Sequence, residues 1–180
     1  MLPGGYNHSI EIVINDRDID IVARNLILLL IAVVVEDVDE AAECMIHVWY
    51  SSHIRESDLN ILQHRIRPLV EVVCEKIKHK PSNRLLGKTW KFETKVLKVV
   101  MQKSSWDILL SFFDIPAGLT AERAREIRAA IDHAPSRVDY RHRFMCYLSP
   151  AHRIAFSRFR EDNILLPFGA PRHDFQKPNP

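Results

Sequence analysis

Glycine is scarce in this chain, with five in 180 residues, and none stands in a G-x-G-x-x-G or G-x-S-x-G arrangement. The first absence removes the loop that cradles a dinucleotide pyrophosphate, and the second removes the nucleophile elbow of an α/β-hydrolase. Cysteine is also sparse. Cys44, Cys74 and Cys146 are an odd, widely spaced set, so they form no disulfide framework, and a reducing compartment, the cytoplasm, suits them best. No apolar run is long enough for a bilayer. The longest, Leu26 to Val35, has ten residues, against the roughly 18–20 that a spanning helix requires. The opening MLPGGYNHS lacks the basic, apolar and small-residue zones of a secretory signal, and the expectation is a soluble protein. Charge of one sign is missing too: the formal net charge is +2, too small to argue for nucleic acid or an anionic membrane.

What is present is organised around Ile10–Val35. Residues 1–9 read as a flexible entry punctuated by Pro3, Gly4 and Gly5. Ile10, Ile12, Val13 and Ile14 form a β-branched run with the look of a buried parallel strand, ended by Asn15-Asp16. A helix over 19–35 follows, apolar on nearly every face apart from Arg24 and Asn25, and is expected to be covered by protein on most sides. Asp16 or Asp18 can cap it, because a short carboxylate accepts bonds from the free amides of the first turn.

A second helix is predicted over 39–51, with Ala42, Met45, Ile46 and Trp49 in a stripe, and a third over 56–80, which Pro68 kinks or divides. HKPSN reads as a turn. Two short amphipathic helices are predicted over 90–101 and 106–113, and Thr120 caps another from Ala121 to about His133. Beyond Tyr140 the order of aromatic and basic residues is strand-like. Ile164–Phe168 reads as a short buried run before a polar, proline-rich tail.

Asp16 is the one residue with the placement of a cofactor ligand. In a mononucleotide-binding half, the acid after the second strand accepts hydrogen bonds from ribose hydroxyls; helix capping is the simpler role. Cys44, His47 and His53 lack the second close pair of a zinc site, since Cys74-x4-His79 is not one, and a buried cysteine with surface histidines is the expectation. Glu93, Asp107 and Asp114 are scattered carboxylates, and no catalytic residue is assigned. The arm Arg137–Arg160 interleaves Tyr140, Phe144, Tyr147, Phe156 and Phe159 with arginines, a composition that can stack on bases and hold phosphates. Packing of the arm against the core is the preferred reading, with its arginines paired internally.

The pattern NDRDIDIVARNLILLL, with Trp106-Asp107, Asp139-Tyr140 and the closing SRFREDNILLPFGAPRHDFQKPNP, resembles a domain of unknown function found in many fungal proteins, often beside a MYND-type zinc finger. It is similar, more distantly, to the amino-terminal region of dynein axonemal assembly factor 3. The resemblance spans Ile10 to Pro180. It implies a Rossmann-like core related to class I S-adenosylmethionine-dependent methyltransferases, with Asp16 at the second-strand acid. Relatives carry a G-C-G-D-type stretch upstream of this strand, and this chain starts after it.

The resulting expectation is an α/β, predominantly helical chain: a partial Rossmann-like core with a small parallel sheet remnant and a C-terminal aromatic and basic arm. Residues 10–168 form one domain and 169–180 a tail. The expected role is a non-catalytic interaction or assembly module without cofactor or metal, whose strand at Ile10–Ile14 is covered by another protein chain. The alternatives are an S-adenosylmethionine-binding methyltransferase, or a fragment of one, using Asp16, and a nucleic-acid-binding module using the arm.

Overall fold

The computed structural model describes Glu11 and residues 13–180, with Arg141 described in its backbone alone. Ile10 and Ile12, and the entry over residues 1–9, lie outside the described residues. Val13 to Arg17 form no strand, and Val13 is 81% exposed. The first element among the described residues is α1 (Ile19–Val34), capped by Asp18, whose carboxylate accepts from the Asp20 amide at 2.9 Å. Ala23, Leu26, Ile27, Leu30 and Ile31 repeat at helical spacing and are buried, which makes α1 the core helix. It ends in valines rather than cations. Its last carbonyls are met from elsewhere in the chain, that of Val34 by Arg65 at 2.7 Å and that of Ala32 by Lys95 at 3.5 Å.

Asp37 accepts from the amides of Asp39 and Glu40 and starts α2 (Val38–Tyr50). The buried face of α2 is Ala41, Cys44 and His47. The stripe of Ala42, Met45, Ile46 and Trp49 legible in the sequence is instead half-buried to exposed.

After β1 (His53–Arg55), the chain enters α3 (Glu56–Asn60), a π-helical stretch (Ile61–Ile66) and α4 (Arg67–Ile77). Pro68 explains the wide turn. Its ring would collide with the carbonyl four residues back, and opening the helix to i→i+5 bonding, with the Arg67 amide on the Leu62 carbonyl, keeps the axis running without a break. Leu62, Ile66, Val70 and Val73 face the core as the periodicity requires.

The stretch expected to hold a helix over 90–101 is a hairpin, β2 (Leu85–Phe92) with β3 (Lys95–Gln102), paired in register from Leu85↔Gln102 to Phe92↔Lys95. Leu86, Trp90 and Phe92 on one strand, and Leu97, Val99 and Met101 on the other, pack toward the core. This is a period of two, and the intervening residues face out. The structure then continues through α5 (Lys103–Ser111), α6 (Ala121–Asp132), α7 (Val138–Tyr147), α8 (Pro150–Asp162) and β4 (Phe175–Pro178). The arm beyond Tyr140 is therefore helical, not strand-like.

The chain is mixed α/β and mainly helical, but among the described residues the two sheets are two-stranded and antiparallel, β1 with β4 and β2 with β3. The expected parallel remnant is corrected accordingly. Its signal was a β-branched run, and the described part of that run forms no strand. The closing segment has a tail's composition yet is fixed in place. Phe175 pairs with Arg55, and Asn179 bonds the carbonyls of Val48 and Ser51 at 2.8 Å, which caps the end of α2.

Candidate functional site

A helix that is apolar all round needs cover on all sides, and the described residues give α1 only part of it. On one flank Leu28, Leu29 and Ala32 meet Ala42, Met45, Ile46, Trp49 and Tyr50 of α2 across an open groove of about 590 Å³. Trp49 stacks on Tyr50 at 5.1 Å, and the Arg24 guanidinium lies 5.4 Å from the Trp49 ring. Ile46 and Trp49 are each 43% exposed. On the other flank Val22, Leu26, Leu29 and Val33 face Val96–Met101 of β3 across a slot of about 330 Å³. Ile14, Asn25 and Leu29 border both. Together these make one apolar surface wrapped around α1, of the kind that marks a contact site when it stays exposed.

A second constellation lies under α2. The buried Asp58 carboxylate accepts from His47 Nδ1 at 3.0 Å, from the Arg55 amide at 3.1 Å, and from the Arg55 guanidinium at 3.1 and 2.9 Å. Arg55 also pairs with Glu43 at 2.9 Å. Burial acts to raise the Asp58 carboxyl, but the hydrogen bonds from His47 and Arg55 outweigh it and bring the pKa down to about 2. Cys44 is adjacent. Burial first, and the Asp58 charge second, push its thiol up to about 12, so a thiolate nucleophile is not available near neutral pH. The cluster is a clamp joining α2, β1 and α3. His47 is 3% exposed and His53 is fully buried, which corrects the expectation of surface histidines.

Asp16 is exposed in coil, and its carboxylate accepts from the Asp18 amide at 3.0 Å. It is a turn residue just ahead of the Asp18 cap. Among the described residues no strand precedes it, and no group of three or more His, Cys, Asp and Glu is placed to hold a metal ion. The scattered carboxylates stay scattered. Glu93 is in the hairpin turn, Asp107 pairs with Lys103 at 2.5 Å, and Asp114 with Arg67 at 2.7 Å. In the arm, Phe144, Phe156 and Phe159 pack on one another, while Tyr140 and Tyr147 are 73% and 90% exposed on α7. Arg153 bonds the Leu148 carbonyl at 2.9 Å.

His53, weighed in the sequence only as a zinc ligand, is a buried polar group with one side satisfied. Its Nδ1 bonds Ser52 Oγ at 2.8 Å, and its Nε2 is buried without a hydrogen-bond partner. Burial, then the Arg125 charge, lowers its pKa, with the Ala121 carbonyl and Asp162 opposing.

Residues 1–54 match a family model described as a domain of unknown function (DUF4470). Within the described residues the match takes in Ile14, α1, α2 and the first two residues of β1. It therefore contains the whole wall of the α1–α2 groove and one wall of the slot, but not β3. No curated protein and no solved structure matches the chain. Among the described residues, no helix is long and apolar enough to cross a membrane.

Proposed function

We propose that this chain is a non-catalytic protein-interaction or assembly module, which engages its partner through the apolar surface around α1. The carrying observation is that, among the described residues, the core helix is left half-open on two flanks, with Ile14, Ile46, Trp49 and Tyr50 exposed at the rims. Burying such a surface against a partner supplies the hydrophobic driving force for association. Tyr and Trp at the edge are suited to interfaces, because each joins a large apolar face to one polar handle. The groups that would argue for catalysis are otherwise engaged, Asp58 in a structural clamp and Cys44 as a buried thiol. The three cysteines are unpaired, in keeping with a module working in the cytoplasm.

The test is reconstitution. A protein captured from the source cells by the wild-type chain is purified and titrated against wild type and the Ile46→Asp/Trp49→Ala double variant. At least a tenfold weakening is expected in the variant, and equal affinities overturn the reading. Calorimetric titration with S-adenosylmethionine is expected to give no saturable heat. Saturable binding that disappears in Asp16→Ala points instead to a cofactor-binding enzyme.

A further inference from the structure

The slot between α1 and β3 has a feature that the α1–α2 groove lacks. Six consecutive residues, Val96 through Met101, line it. Successive side chains of a strand point to opposite faces, so what these six have in common is the edge of β3, opened toward α1. That edge has no strand partner among the described residues, because β3 pairs with β2 alone. Its amides and carbonyls stand as a ready template for one more strand. The facing wall, Val22, Leu26, Leu29 and Val33, is an apolar helix stripe.

Charge narrows the choice of occupant. The hairpin carries Lys88, Lys91, Lys95 and Lys98 against the single acid Glu93. None of the four is in an ion pair among the described residues, and Lys98 itself lines the slot. Lysines on an edge guard it against strands of like charge and against a second copy of the same hairpin, but they attract an acidic one. A docked helix would leave the edge amides buried and unbonded, since its own backbone groups are already satisfied.

We propose that this slot binds an extended segment of a partner protein with alternating acidic and apolar residues, which joins β3 as a third strand. Its apolar side chains would lie against α1 and its carboxylates on the opposite face, near Lys98. The proposal rests on the interaction reading above and specifies which flank of α1 takes a strand.

The probe is a fluorescein-labelled, end-blocked peptide, Asp-Val-Asp-Val-Glu-Val-Asp, titrated into the full chain and followed by anisotropy. Saturable binding is expected. It should weaken at least tenfold when alternate peptide amides are N-methylated, which removes the bonds to the β3 edge. A severalfold loss is expected for Lys98→Glu, an exposed position on the outward face of β3 whose exchange leaves the core untouched, with folding checked by circular dichroism. The Ile46→Asp/Trp49→Ala variant is expected to bind within twofold of wild type. Absence of binding, or binding indifferent to N-methylation, overturns strand addition. Loss in the Ile46/Trp49 variant with no loss on N-methylation also overturns it, while leaving the α1–α2 surface as the docking face; the two readings therefore fail separately.

Discussion

Asp58 has no side-chain exposure and three partners on two residues. Removing one member of a buried charged cluster is costly because the others are left desolvated and unpaired. Arg55 keeps a quarter of its side chain in water, which places the cost at the lower end. Asp58→Ala is expected to destabilise by about 3 kcal/mol, measured from the urea midpoint. The pH dependence has two parts. Asp58 lies below its ordinary 3.8 at about 2, so its stabilising contribution is present above pH 3.8 and is lost as pH falls through about 2. His53 lies below its ordinary 6.5, so the folded state prefers the neutral imidazole. That contribution is complete above pH 6.5 and erodes as pH falls below it, where the unfolded chain takes up the proton first. Urea midpoints measured downward from neutral pH should show this first loss, and His53→Gln should flatten it. At this scale the sequence was informative only for local chemistry. The Asp18 and Thr120 caps could be read because a cap and its helix are adjacent. The Asp58 clamp could not, since His47 stands eleven residues away and nothing local marks the pairing.

Among the elements, the hairpin shows how periodicity misleads. Val96, Leu97, Val99, Val100 and Met101 place apolar residues on both faces of β3 and so satisfy a helical i, i+3, i+4 spacing as well as a strand's. The turn offered no correction. It is Glu93-Thr94, not an Asn-Gly or Asp-Gly pair, and Glu93 is held at φ 46°. A side chain in this left-handed region costs roughly 1 kcal/mol, while glycine adopts it freely but orders with a greater entropy loss. Glu93→Gly is expected to stabilise the chain by about 0.5 kcal/mol, read as a small rise in melting temperature. The long helices α1, α2 and α3–α4 were legible because their stripes run for three turns or more. Half of the candidate site was legible with them: the stripe of Ala42, Met45, Ile46 and Trp49 was visible, but that it lines an open groove was not, because Ala41, Cys44 and His47 give α2 a second face that the core uses.

At the scale of the whole molecule, the first and last parts of the chain are joined at β1. Its edge takes β4, the Ser52 amide bonds the Asn163 carbonyl at 2.8 Å, and Phe175 meets the His47 ring edge-on at 4.7 Å. Asn163 sits in the left-handed conformation at the end of α8, fully buried, and its side-chain amide reaches the Arg125 carbonyl at 3.3 Å. One residue thereby connects β1, α6 and α8. These contacts are of long sequence separation, which is why a composition-based reading took 169–180 for a tail. They also make a definite prediction about cooperativity. Phe175 is 4% exposed, and truncating a buried phenylalanine typically costs about 3–5 kcal/mol. Phe175→Ala is expected to lower the stability of the whole chain by about 3 kcal/mol in a single transition, with the fluorescence of the packed Trp90 and Trp106 and the far-ultraviolet helical signal melting together. If α6–α8 unfolded as a separate unit, the helical signal would fall first while Trp90 and Trp106, packed between the hairpin and α5 at a ring separation of 6.0 Å, reported no change. Coincident curves in both wild type and variant are the expected result, because the Phe175 and Asn163 contacts anchor the closing segment to α2 and β1 rather than only to its own helices.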